Sequence, residues 1–299
     1  MLEAVLAGAV AGGTSLVFAG LGELTAERSG VINLGTEGSM LCGALAAYAV
    51  GITTGNPWLG VLGGLAAGAA LAAAHAYLVL HRGANQIAVG LVVSFLGLGI
   101  TALFGQSYVG QGVVALETWP VPGLSELPFL GSVLFDHDVL TYLSFFAGPL
   151  LAWILWRTRA GLLLRSAGEG PEVLEIYGTT ARSVRWVALL VGGALAGLGG
   201  AQLSTAATLN WSEGMTVGRG YVAVALVIFA GWHPLKLPLG AYLFSGAIAL
   251  QLQLQARGWE LSRYLLEALP YLTVLIVLAV LSRRRSHSGP AALQKVFEG

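Results

Sequence analysis

Asn33-Leu34-Gly35-Thr36-Glu37-Gly38-Ser39-Met40 and Met215-Thr216-Val217-Gly218-Arg219-Gly220-Tyr221-Val222 decide the fold. Each is a polar, glycine-interrupted opening to an apolar helix, and Gly38 aligns with Gly220. In a membrane-crossing chain, helix breaks at matching positions of two halves mark an inverted-repeat transporter. Broken backbone survives at membrane depth only where protein buries it or where it lines a watery cavity. The competing reading is a chance match of Gly-rich membrane sequence, and the arrangement of the surrounding segments decides between the two.

Composition puts the chain in a membrane. Of its 299 residues, 56% are hydrophobic and 10% are charged, and the mean hydropathy is +0.77. A soluble domain carries roughly 25% charged residues, so this one could not cover its own surface. The 15 basic and 15 acidic residues balance, which implies no basic surface for nucleic acid. A single cysteine, Cys42, excludes an internal disulfide and a cysteine-built metal site. The 43 glycines point to close helix packing rather than disorder.

A membrane span takes about 20 apolar residues. Such segments run near 3–22, 34–52, 58–80, 87–105, 139–156, 186–206, 238–255 and 265–282, and a shorter one runs from Tyr221 to Trp232. That makes about nine segments, within a range of 8–10. With the C-terminus inside, the cytoplasmic connections hold Arg28, Arg82, Arg157, Arg159, Arg165, Arg182, Arg185, Lys236, Arg283, Arg284, Arg285 and Lys295. The outer ones hold Arg257 and Arg263, with Arg219 near a membrane edge. The positive-inside rule therefore puts the N-terminus outside. Met1-Leu2-Glu3 has no basic run and no small-residue cleavage site, so no cleaved signal peptide is expected.

In this topology the helix after Gly38 runs outward and the helix after Gly220 runs inward. Each follows one span and precedes two, giving a 4+4 inverted repeat in a single transmembrane domain over 1–299. Repeat 1 covers about 3–105, followed by an extracytoplasmic loop at 106–138 and a span at 139–156. A cytoplasmic loop at 157–185 leads into repeat 2, about 186–282, and a cytoplasmic tail at 283–299.

No catalytic set converges. Lys236 and Lys295 lie in no P-loop, the five histidines are scattered without metal-ligand spacing, and Asp136-His137-Asp138 reads as a solvated turn. Arg283-Arg284-Arg285 reads as a topology stop facing anionic lipid. Glu37 is the carboxylate best placed within a span, and an intramembrane charge is by default a functional candidate. Its position also suits a helix cap or an ion pair with an arginine such as Arg28. Arg219 holds the equivalent place in repeat 2. Gln86, Ser94, Thr101, Gln202 and Ser204 are polar residues on apolar helices, where interhelical hydrogen bonding competes with pore lining. Gln86 and Ser94, eight residues apart, share one helix face that a hydroxyl-rich solute would suit. Asn33, Glu37, Gln86, Ser94, Thr216 and Arg219 are the candidate pathway residues.

The cytoplasmic stretch Gly168-Glu169-Gly170-Pro171-Glu172-Val173-Leu174-Glu175-Ile176-Tyr177-Gly178 predicts a short helix. Pro171 suits the first position, Glu172 the positive dipole end and Gly178 the stop. Its apolar stripe of Val173, Leu174, Ile176 and Tyr177 is too large for a solvated loop. Such a helix docks a partner or packs on its own membrane domain.

Glu27-Arg28-Ser29-Gly30-Val31-Ile32-Asn33-Leu34-Gly35-Thr36-Glu37-Gly38 resembles the signature of permease subunits in the simple-sugar and nucleoside branch of bacterial ABC importers. Gln86 to Gly97, Arg157 through Gly178 and Gly218 to Ala223 resemble further stretches of that family, in its order along the chain. The first motif is most similar to the nucleoside-type subgroup that works with a basic-membrane-protein-like binding lipoprotein. The resemblance implies a non-enzymatic transport subunit of the bacterial inner membrane, with a fold like the vitamin B12 importer permease. That fold has ten spans, one more than counted here.

The implied partners are a second permease, different from this one, an ABC ATPase that binds the ATP and Mg, and an extracytoplasmic binding lipoprotein. Membrane lipid surrounds the chain, and it holds no cofactor of its own. Glu169, Pro171, Glu172, Val173, Leu174, Glu175, Ile176, Tyr177 and Gly178 then form the coupling helix on the ATPase. Ser94 stands where the subgroup commonly has Asn, so the substrate does not carry over. An ion-coupled secondary transporter, relying on Glu37, and a passive channel are the rival classes.

Overall fold

The computed structural model describes residues 1–176, 178–258, 262–282 and 289–293. Tyr177, the 283–285 arginines and Lys295 lie outside the described residues. The helices are α1 (Leu2–Arg28), α2 (Thr36–Thr54), α3 (Pro57–Leu80), α4 (Gln86–Gly105), α5 (Val139–Arg157), α6 (Arg159–Glu169), α7 (Glu172–Ile176), α8 (Ala181–Gln202), α9 (Arg219–Phe229), α10 (Leu237–Ala256) and α11 (Arg263–Ser282). Among the described residues the only β pairing is one bridge, Thr118 with Asp138.

Local chemistry sets five of the eleven described helix starts. Asn56, Asn85, Asp138, Thr158 and Thr180 each accept a backbone N–H from the first turn of the helix they precede, and so cap α3, α4, α5, α6 and α8. Asp138 also accepts the Thr141 hydroxyl at 2.6 Å, and a His137 ring nitrogen lies 2.8 Å from the Val133 carbonyl oxygen. The Asp136-His137-Asp138 turn thus spends two of its side chains on its own loop and on α5. α2 and α9 differ from these helices. Each starts after a glycine, Gly35 or Gly218, that offers no side-chain cap.

Six described helices are long and apolar enough to cross a membrane: Leu2–Arg28, Pro57–Leu80, Gln86–Tyr108, Val139–Arg157, Ala181–Ala207 and Leu237–Ala256. α2 falls outside that set because Thr36-Glu37-Gly38-Ser39 lowers its hydropathy, and α9 is a shorter apolar helix of 11 residues. α1 is the central post. Every residue from Gly13 to Glu27 is buried, the polar Thr14, Ser15, Glu23, Thr25 and Glu27 included. Around it stand α8, α10, α9 and α5.

α2, α3 and α8 form the tightest slab. A Cβ on Gly197 would strike the Gly64 carbonyl, and one on Gly68 would strike the Gly193 carbonyl, so the α3 and α8 backbones meet through glycine.

Three elements differ from expectation. α1 continues past 22 to Arg28, which takes Glu23 and Glu27 into the interior. The 157–185 stretch holds a full extra helix, α6, as well as the short one. Near the end of the chain, Pro290 and Leu293 are buried, and Pro290 reaches Gly168.

Candidate functional site

The two breaks meet. Glu37, in the first turn of α2, accepts hydrogen bonds from the opening of α9. Its Oε1 takes the Thr216 hydroxyl at 2.6 Å and the Gly218 N–H at 2.9 Å, and its Oε2 takes the Gly220 N–H at 2.6 Å. One carboxylate therefore sits at the start of both helices, where each dipole favours negative charge. It replaces the cap that Gly218 lacks. A Cβ on Gly220 would strike the Glu37 backbone and lie 2.8 Å from its Oε2, so glycine is required there. Arg28 does not reach Glu37. Its Nε and Nη2 donate instead to the Trp232 carbonyl, at 3.1 and 2.8 Å.

The first break is held on every side. Glu23 Oε1 accepts the Asn33 N–H and Glu23 Oε2 the Thr36 hydroxyl, both at 2.8 Å. Asn33 Oδ1 accepts the Gly35 N–H at 3.0 Å. From α4, Gln86 Oε1 accepts the Ile32 N–H at 2.9 Å and Ser94 donates to the Leu34 carbonyl at 2.7 Å. Asn33, Glu37, Gln86 and Ser94 thus converge on one stretch of chain, 32–37. Thr101 bonds within its own helix, while Gln202 and Ser204 donate across helices to the Ala11 and Ala44 carbonyls.

The second break, 208–218, is open. Leu209 and Val217 take positive φ of 52° and 47° and are exposed. A β-branched residue in that region is strained, and such strain clusters at working sites. Thr216 is buried on Glu37, whereas Arg219 donates from Nη1 to the Gly12 carbonyl and the Ser15 hydroxyl of α1.

Sequence reasoning missed Glu23 and Glu27. Glu27 Oε2 accepts the Trp232 indole N–H at 2.5 Å, so the end of α1 grips the turn after α9. The signal is present as two carboxylates one helical turn apart on an otherwise apolar helix, but such a pair reads as the point where a span ends.

On the face where the loops gather, α7 buries Leu174 and exposes Val173 and Ile176, the latter 83% accessible. Glu169, Glu172 and Glu175 are exposed and Pro171 is half-buried. Gly178 has φ +73° and ends the turn. Behind α7, Arg185 donates to the Ala167 carbonyl of α6 and to the Ser29 carbonyl where the first break begins, both at 2.9 Å. No group of three or more His, Cys, Asp or Glu is placed to hold a metal among the described residues.

Two helix breaks joined through Glu37, in a bundle with six described helices long and apolar enough to cross a membrane, mark a multi-pass membrane protein. The chain belongs to the family described as branched-chain amino acid transport system / permease component, whose model matches residues 5–281. It is 44% identical over 247 residues to a protein of Haloferax volcanii provisionally named a glucose ABC transporter permease, covering 81% of this chain and 75% of the relative. It is 31% identical over 296 residues to a nucleoside ABC transporter permease of Lactococcus lactis, covering 93% and 92%. A guanosine ABC transporter permease of Bacillus subtilis is 31% identical over 243 residues, covering 77% and 76%. No solved structure matches. These relatives put the chain in the simple-sugar and nucleoside branch of ABC permeases, which are membrane transport subunits rather than catalysts.

Proposed function

We propose that this chain is one membrane-spanning half of an ABC importer that passes a nucleoside or simple sugar into the cytoplasm. In this reading about nine segments form a 4+4 inverted repeat with the N-terminus outside and the C-terminus in the cytoplasm. A second, different permease completes the path, a partner ATPase binds ATP and Mg, and an extracytoplasmic lipoprotein delivers the solute.

The observation that carries this reading is α7. It is a short helix outside the apolar spans, with Val173 and Ile176 exposed, and Arg185 ties the neighbouring α6 to the first break. ATP-driven displacement of 168–178 acts on α6 and, through Arg185, on the Ser29 carbonyl. From there the chain runs through Ile32 and Leu34, held by α4, and Asn33, held by Glu23 of α1, to Glu37 and so to the opening of α9. Asn33, Gln86 and Ser94 position the first break in this scheme. Thr216 and Arg219 set the second, beside which the solute passes.

The test is to purify the tagged chain in mild detergent, identify what co-purifies, and reconstitute uptake. We expect a stoichiometric ATPase. Replacing Val173 and Ile176 together by Ser should lose the ATPase and lower ATP-driven uptake at least tenfold, while the melting temperature of the permease holds. Uptake that survives ATP depletion and collapses with the ion gradient would overturn the reading in favour of a secondary transporter.

A further inference from the structure

We propose that the cavity beside Arg219, between α9, α10 and α11, binds a nucleoside by its base and discriminates against a bare hexose. The inference rests on the permease reading above and names the class of solute. The cavity measures about 380 Å³ and includes Val217, Arg219, Phe244, Gln251 and Tyr271 in its lining. Small-molecule sites run from about 300 to 1,000 Å³ and combine an apolar wall with a few convergent polar groups. Three such groups converge here. Arg219 uses Nη1 on α1 and, among the described residues, makes no protein hydrogen bond from Nε or Nη2. The Gln251 amide and the Tyr271 hydroxyl make none with the described residues either, and both side chains are accessible. Strained, exposed Val217 stands at the lip.

The rest of the wall selects the ligand. The Phe244 and Tyr271 rings lie edge to face, with centroids 5.8 Å apart and planes at 73°. Met215, Val222, Ile248 and Pro270 complete an apolar surface. A hexose carries a hydroxyl on nearly every carbon, and each one desolvated without a partner opposes binding. The lining beyond Arg219, Gln251 and Tyr271 is apolar, so hydroxyls on the far side of a hexose ring meet no partner, whereas the ribose of a nucleoside can stay at the exposed mouth beside Val217. A nucleobase has two apolar faces, suited to an aromatic wall, and gathers its acceptors along one edge. The planar guanidinium fork matches paired acceptors such as the O6 and N7 of guanine. A lipid tail would fill the apolar wall but leave the three donors unmatched.

Guanosine and glucose are the probes. The transporter, purified with its native partner subunits, is reconstituted for ATP-driven uptake, and its melting temperature is read with each probe. We expect guanosine, and not glucose, to raise the melting temperature and to be taken up. Gln251→Ala, and separately Arg219→Lys, which keeps the charge but loses the fork, should raise the KM for guanosine at least tenfold. Both variants should still assemble with the ATPase. Guanosine uptake at unchanged KM in both variants, or glucose as the only solute bound, would overturn the cavity assignment and leave the permease reading standing. A guanosine-dependent melting shift that Gln251→Ala abolishes, without ATP-driven uptake, would support the cavity and overturn the transport reading.

Discussion

The two helix breaks look alike in sequence and are built in opposite ways. The first, 29–36, is buried and held by Glu23 from α1 and by Gln86 and Ser94 from α4. The second, 208–218, exposes Leu209 and Val217 in strained conformations and is anchored near its end by one carboxylate on the first half. Similar motifs are thus divided into a fixed seat and a working edge. The fixed seat is the one that Arg185 joins to α6.

Substitutions can break or sharpen this contrast. Glu37→Ala removes the acceptor for two backbone N–H groups and a hydroxyl, and hydrogen bonds to charged groups contribute about 1.5–3 kcal/mol each. We expect ATP-driven uptake to fall at least a hundredfold and the melting temperature to drop sharply. Unchanged uptake would end the idea that the breaks are mechanically joined.

Glu23→Ala acts only on the fixed seat. It orphans the Asn33 N–H at roughly 1–3 kcal/mol and leaves the Thr36 hydroxyl only its bond to the Asn33 carbonyl. It should lower the melting temperature while the preference among solutes, read by competition uptake, stays put. Ser94→Ala removes one bond to the Leu34 carbonyl and should cost about 1 kcal/mol, seen as a small melting shift without a change in KM.

Val217→Gly tests the working edge. Relief of a positive φ, a strain of order 1–3 kcal/mol, is offset by roughly 0.5–1 kcal/mol of added unfolded-chain entropy. The melting temperature should move least of all, and the KM for solute should change. A large melting shift with constant KM would make Val217 a structural residue instead.

The helices were legible wherever a residue acts on its own neighbourhood. Asn56, Asn85 and Asp138 cap the helices they precede, Gly178 stops α7, and both glycine breaks are visible in the chain. Three features were not legible, each for a physical reason. Glu23 and Glu27 read as the end of a span because a lone carboxylate in hydrocarbon is costly. Their partners, Asn33, Thr36 and Trp232, are supplied by tertiary structure. α6 was hidden by arginines that made 157–169 look like loop, although Thr158 supplies a sound cap. That Glu37 caps α9 rather than its own helix depends on which two segments become neighbours, and local pattern does not carry that.

That cap also has a consequence for biogenesis. Glu37 and Gly220 are 183 positions apart. At about 5–20 residues per second, the carboxylate must wait roughly 10–40 s after its own synthesis before the amides that satisfy it exist. During that interval α2 lacks its final partner, and a ribosome stalled before residue 216 leaves an exposed acidic helix end in or near the bilayer. The last third of the chain therefore completes a seat laid down in the first eighth, and assembly quality control has one late contact, the three hydrogen bonds on Glu37, to monitor.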